Sequence, residues 1–284
     1  MRMEGQDESQ NVEDARASSG FRPVHGIGLG TIALALIGGW VFGVNPLQLL
    51  GLMSGGGTTA STAPDQSLSA PPAGDAEAHF VSQILRSTEQ VWTGVFRDRG
   101  AAYEEPKLVL FRGSYPTACG QGEAAAGPFY CSRDRRVYID LAFFDEMSRQ
   151  LNAPGQFAQA YVVGHEVGHH VQNLLGILPK VHEAEEESAN STEANHLSVE
   201  LELQADCFAG VWANHTQQKL HFLDQGDVEA ALQTASAIGD DRLQQQAQGR
   251  IVPDSFTHGT SAQRQHWFSA GLNSGQITAC DTFR

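Results

Sequence analysis

His165 and His169 stand four residues apart, with Glu166 directly after the first, in the stretch QFAQAYVVGHEVGHHVQNLLGI. On a helix this spacing stacks both imidazoles on one face, one turn apart, where they can reach one metal ion. Glu166 faces the same side without being a ligand, and so can take a proton from a water activated there. A zinc ion held by two histidines needs a third protein ligand, with a fourth position left for water. The stretch SVELELQADCFAGVWANH offers Glu200, Glu202 and Asp206. Glu202 and Asp206 again share a helical face, beside Ala205, Phe208 and Trp212 as inward neighbours. Two carboxylates against apolar surface are costly without partners. One zinc per chain supplies them, with Glu202 on the metal and Asp206 on the far nitrogen of a ligand imidazole. The bland alternative is a solvated helix face. Gly164 and Gly168 weaken the first helix by about 1 kcal/mol each relative to alanine, which implies that another element approaches closely there. His170 points off this face, as surface or packing. His182, His196, His215 and His221 follow no ligand spacing.

These side chains need a frame. Residues 79–96 read as an amphipathic helix, with Phe80, Ile84, Val91 and Val95 inward. KLVLFRG (107–113) and RRVYIDL (135–141) read as strands. Helices are expected near 142–151, 154–175, 197–219, 226–238 and 260–271. The acidic stretch 181–196 reads as a solvated loop that overhangs the cleft and disfavours acidic substrates through Glu185, Glu186 and Glu187. A helical body with a small sheet is an α+β fold.

The chain of 284 residues is 41% hydrophobic, enough for one substantial domain. A formal net charge of −15 sets nucleic-acid binding aside. Residues 1–25 are polar and read as a disordered tail. An uncharged run from Gly26 to Val44 predicts one transmembrane helix within 26–50. Its rivals are a buried core helix and a cleaved signal peptide, which the late start and missing cleavage site disfavour. Arg2, Arg16 and Arg22 precede the run, and no Lys or Arg follows until Arg86. That asymmetry puts the N-terminus in the cytoplasm and the domain outside, as a single-pass inner-membrane protein. Residues 51–76 read as a Gly/Ser/Ala/Pro-rich linker, and 77–284 as the folded domain.

HEVGHH followed by ELQADCFAG resembles the bacterial family of putative neutral zinc metallopeptidases, of the HExxH…ExxxD kind. GVNPLQLLG, GPFYCSRDRRVYIDLAFF and FTHGTSAQRQHWFSAGL also look like that family. The ExxxD pattern is similar to thermolysin-like enzymes, in which the glutamate is the third ligand and the aspartate supports a histidine. The resemblance implies a zincin-like, gluzincin-type peptidase. His165, His169 and Glu202 would hold zinc, Glu166 would be the general base, and a peptide or protein would be the substrate. It also points to His258 and Arg264 in FTHGTSAQR as groups that steady the oxyanion or the substrate, although Thr260 or Ser261 there equally caps a helix. VYID in the 135–141 strand is the expected partner for an extended peptide.

Outside the cytoplasm disulfides are permitted. Cys119, Cys131, Cys207 and Cys280 allow three pairings, and the sequence does not choose among them. The short loop between Cys119 and Cys131 favours that pair, with 207–280 as the other. Two further readings remain: a catalytically silent zinc-containing interaction module tethered to the membrane, and a zinc amidase acting on cell-wall peptides. An intact Glu166 counts against the first.

Overall fold

The computed structural model describes residues 1–3, 5–16, 69–123, 127–150 and 155–283. The predicted span at 26–50 lies outside them. Among the described residues no helix is long and apolar enough to cross a membrane.

The architecture is the expected α+β type, mainly helical with a small sheet. In chain order the strands are β1 (Val12–Asp14), β2 (Lys107–Phe111), β3 (Ser114–Thr117), β4 (Gly120–Glu123), β5 (Phe129–Cys131) and β6 (Arg136–Asp140). The helices are α1 (Ala76–Asp98), α2 (Ala142–Gln150), α3 (Gln156–Leu174), α4 (Ile177–Glu187), α5 (Ser191–Leu220), α6 (Asp227–Ala237), α7 (Asp240–Gln248) and α8 (Ser261–Ser274). Sheet order is β1-β2-β6-β5, with β5 antiparallel to β6 and the other neighbours parallel. β3 and β4 form a separate hairpin.

Three sequence expectations change. Residues 1–16 do not behave as a loose tail: β1 pairs with β2, and Met3, Val12 and Ala15 are buried. The segment has few apolar residues, but those few are anchors, and its polar groups find partners on the domain. The acidic stretch 181–196 is helical at both ends, because α4 runs to Glu187 and Asn190 caps α5 by accepting from the Glu193 backbone N–H at 3.0 Å. The VYID strand, β6, is not an open sheet edge: it pairs with β2 along its whole length and with β5 over residues 136–138.

The core follows the predicted pattern. Phe80, Ile84 and Val91 of α1 are buried, while Val95 is partly so. α3 and α5 form the centre. Phe157, Tyr161, Phe208 and Trp212 pack where they cross, and the Trp212 indole donates to Ser87 of α1 at 3.0 Å. The α3 glycines sit where the sequence placed a close approach. A Cβ on Gly164 would lie 2.8 Å from the Trp212 ring, and one on Gly168 would lie 2.9 Å from the Ala205 carbonyl oxygen. α8 crosses the other side of α5 closer still. A Cβ on Gly271 would fall 1.9 Å from the Cys207 carbonyl oxygen, and one on Gly210 would fall 2.1 Å from that of Phe268. α5 is thus held between two helices at backbone distance. α8 starts with a capping box built by Thr260 and Gln263, as the capping alternative anticipated.

Candidate metal centre

The glycine-mediated crossing of α3 and α5 brings His165, His169 and Glu202 together. One ligand atom from each lies within 4.8 Å of the others. His165 Nε2 is 3.1 Å from one Glu202 carboxylate oxygen, and His169 Nε2 is 3.3 Å from the other. Ligands at zinc-bond lengths in tetrahedral geometry stand about 3.3 Å apart, and both histidine–glutamate distances are close to that value.

The opposite ring nitrogens are also committed, which fixes each ring. His165 Nδ1 is 2.9 Å from Asp206 Oδ1. His169 Nδ1 is 2.8 Å from the Gln172 side-chain oxygen. With Nδ1 as donor in each ring, Nε2 is left to meet a metal. The two supports differ in charge: a carboxylate stands behind one ligand and a neutral amide behind the other. Gln172 is itself fixed, because its amide nitrogen donates to the Leu201 carbonyl at 2.7 Å and to Gln204 at 3.1 Å. Gln204 in turn donates to the Cys280 carbonyl at 2.9 Å.

Asp206 is fully buried and has three partners. Tyr161 donates its hydroxyl to Oδ1, His165 meets the same oxygen, and Arg264 spans both oxygens. Burial alone would raise this carboxyl, but Arg264 and His165 outweigh it and hold it down to about 2. Arg264, 2% exposed, lies on the Nδ1 side of His165, where its guanidinium holds Asp206 behind that ring.

Glu166 is buried beside the ligands without joining them. Burial pushes its carboxyl up against the opposing pull of the two histidine charges. A base with a raised pKa is suited to proton transfer near neutral pH. His258 is held from behind. The Asp240 carboxylate accepts backbone N–H bonds from Thr257 and His258 at 2.7 Å and from Gly259 at 3.1 Å. The same carboxylate's other oxygen is 3.5 Å from His258 Nδ1. The ring is 44% exposed. Partial burial would lower its pKa, but the charges of Glu202 and Asp240 raise it. Glu185, on α4, is pushed up to about 7 by burial and then by the Glu202 charge, whereas Glu186 and Glu187 are exposed. His170 is packing: fully buried, it sits against Tyr103 and Tyr130 and meets the Glu104 carbonyl at 2.7 Å.

Tyr161, Gln172 and Asp240 were not anticipated. Tyr161 is one turn before His165 and Gln172 is three residues after His169, so helical spacing alone could have found both. Asp240 acts across a distant loop and leaves no local signal. The cysteines pair as favoured, Cys119 with Cys131 and Cys207 with Cys280.

Residues 1–283 match the family described as "putative neutral zinc metallopeptidase". The chain belongs to this family. It is 50% identical over 290 residues to the Escherichia coli K12 protein printed as "uncharacterized protein YpfJ", covering 100% of this chain and 99% of that one. It is 39% identical over 253 residues to Mycobacterium bovis Mb2605 and to Mycobacterium tuberculosis Rv2575, covering 83% of this chain and 84% of each. No solved structure matches it. The family's zinc agrees with the three-ligand cluster on α3 and α5.

Proposed function

We propose that this chain is a zinc-dependent peptidase in which His165, His169 and Glu202 hold one zinc ion and Glu166 is the general base. The observation that carries the reading is the placement of Glu166: buried, raised in pKa, adjacent to a complete three-ligand set and not part of it. A structural zinc site has four protein ligands and no use for such a base. Zinc bound there supplies Lewis acidity, polarising a carbonyl and bringing the pKa of water to about 7. Glu166 accepts the proton of the attacking water and returns it to the leaving amine. His258, fixed through Asp240, donates to the oxyanion as charge develops on the scissile oxygen. Asp206 and Gln172 hold the ligand rings in one tautomer. Because β6 is internal, an extended peptide has β5, on the sheet margin, as its strand partner.

Two disulfides support a domain exposed to an oxidising compartment. The Gly26–Val44 run supports attachment to the inner membrane.

The test is paired. Zinc is quantified in the parent and in Glu166→Gln, and both are assayed against a mixed peptide library. The reading requires one zinc in each and cleavage by the parent alone. A parent that binds no zinc, or a variant that cleaves as well as the parent, refutes it.

A further inference from the structure

The positive-inside reading separates the N-terminus from the domain by one membrane crossing. The described residues do not permit that separation. β1 lies parallel along β2 in the register Val12↔Leu108, Glu13↔Val109 and Asp14↔Leu110. Leu108 N–H donates to the Asn11 carbonyl at 2.9 Å, and Ala15 N–H to that of Leu110 at 2.8 Å. The pairing is anchored on both sides of the strand. Met3 and Val12 join the main core, while Ala15 packs with Val109, Phe111 and Tyr138 on the other face.

The polar contacts are equally specific. Glu89 of α1 is 1% exposed, and its carboxylate receives the Ser9 hydroxyl and the Asn11 amide from residues 1–16. Without them, among the described residues, the buried carboxylate keeps Arg86 alone, at 3.0 Å. Such a charge is costly unless its hydrogen bonds are complete. Ser9 and Ser82 exchange bonds at 3.2 and 3.1 Å, and Glu13 pairs with both Lys107 and Arg136. Removing this arm would also leave β2 as an open sheet edge. The family match itself begins at residue 1.

The arm ends where the domain resumes. Asp14 N–H donates to the Ser69 carbonyl at 2.7 Å, and Arg16 pairs with Asp75, the residue that caps α1. Arg16 and Ser69, the described residues on either side of the sequence 17–68, therefore lie together on the domain. That intervening sequence contains one apolar run, long enough for a single crossing at about 20 residues and too short for two. One crossing would put its two ends on opposite faces.

We propose that residues 1–16 are a structural arm of the peptidase domain, so that the N-terminus and the domain lie on the same side of the membrane. This inference is independent of catalysis.

The experiment uses the full chain in cells. All four cysteines are disulfide-paired, so an added thiol is the sole target of a maleimide. Gln10→Cys on the arm and Gln246→Cys on α7 are both at exposed positions. Each variant is treated with a membrane-impermeant maleimide in intact spheroplasts and after lysis. The proposal requires the two to behave alike, both labelled or both protected. Labelling of one with protection of the other overturns it. Hydrogen exchange on the unaltered purified chain is the second measurement. The amides of Asp14 and Ala15 are expected to exchange within about tenfold of Leu108, as members of one sheet. Exchange at the rate of an unstructured chain shows that the arm is not part of the domain, whatever the labelling result.

Discussion

The guanidinium of Arg264 grips the carboxylate of Asp206 as a fork, with Nε 2.8 Å from one oxygen and Nη2 2.9 Å from the other. Both groups are buried, and Asp206 passes the constraint on to His165. A carboxylate behind a metal-binding imidazole raises the basicity of that ligand and fixes its plane. Arg264 fixes the carboxylate in turn, so three residues on three helices act in series on one ligand nitrogen.

Arg264→Ala leaves Asp206 buried without its countercharge and is expected to cost about 3–5 kcal/mol of stability, measured by urea unfolding. Arg264→Lys keeps the charge and loses the fork. It is expected to fold and to bind zinc roughly 10- to 100-fold more weakly in a chelator competition. If the lysine variant keeps full zinc affinity and loses only peptide turnover, Arg264 faces the substrate after all and the supporting role assigned here is wrong.

The cluster that could hold a metal was legible because helical spacing is a local code: His165 with His169, and Glu202 with Asp206, are each one turn apart. The close helix approach was legible for a related reason, since Gly164 and Gly168 are poor helix formers with no other purpose in that helix. Arg264 was found as a residue, but its pairing with Asp206 was not. Sequence shows that it follows a helix cap, not that α8 lies against α5 at backbone distance through Gly210 and Gly271. The arm was misread for a compositional reason. Three small apolar anchors and a ladder of Ser, Asn and Glu look like a disordered tail until Glu89 and the β2 edge are beside them. Asp240 left no trace, because its partners are the backbone amides of a loop and any sequence has those.

Gly168→Ala tests the crossing that assembles the site. The new methyl would lie 2.9 Å from the Ala205 carbonyl oxygen and 3.1 Å from its Cα, and backbone atoms cannot rotate away. Overpacking of about 1–3 kcal/mol is set against a helix-propensity gain of about 1 kcal/mol. The net effect is a lower Tm and weaker zinc binding, because α3 and α5 carry separate ligands. Gly94→Ala is the contrast, since nothing lies within 4 Å of its Cβ position on α1. It is expected to stabilise by up to about 1 kcal/mol. Equal shifts in the two variants would show that the crossing tolerates separation.

The two disulfides are expected to differ in effect. Cys119 and Cys131 are 12 residues apart and Cys207 and Cys280 are 73 apart, so the second constrains the unfolded chain more, by about 1.6 kcal/mol in the loop-entropy account. The second also adjoins the metal site, through Cys280 carbonyl, Gln204, Gln172 and His169. Replacing Cys207 and Cys280 by alanine should lower both Tm and zinc affinity, whereas replacing Cys119 and Cys131 should lower Tm alone. Unchanged zinc affinity in the first variant would show that the amide chain holds His169 without help from the cross-link.

Zinc uptake should be pH-dependent, with a sign set by His165. In the metal-free protein burial pushes this imidazole down, but the bonds to Asp206 and Glu202 prevail and raise it to about 10. The ring therefore carries a proton at neutral pH, and zinc must displace it. Apparent zinc affinity is expected to rise about tenfold per pH unit between pH 6 and 8, with proton release seen as a buffer-dependent binding enthalpy. The metal-free fold runs the other way. A histidine raised in the folded state stabilises it fully below the unfolded value of about 6.5, and that contribution is lost as pH climbs toward 10. Metal-stripped protein should thus melt higher at pH 6 than at pH 9 by more than Asp206→Asn does, since the asparagine removes the charge that holds the proton. Zinc affinity independent of pH across this range would mean that the ring is already neutral, and that Arg264 and Tyr161 alone hold the Asp206 carboxylate in place.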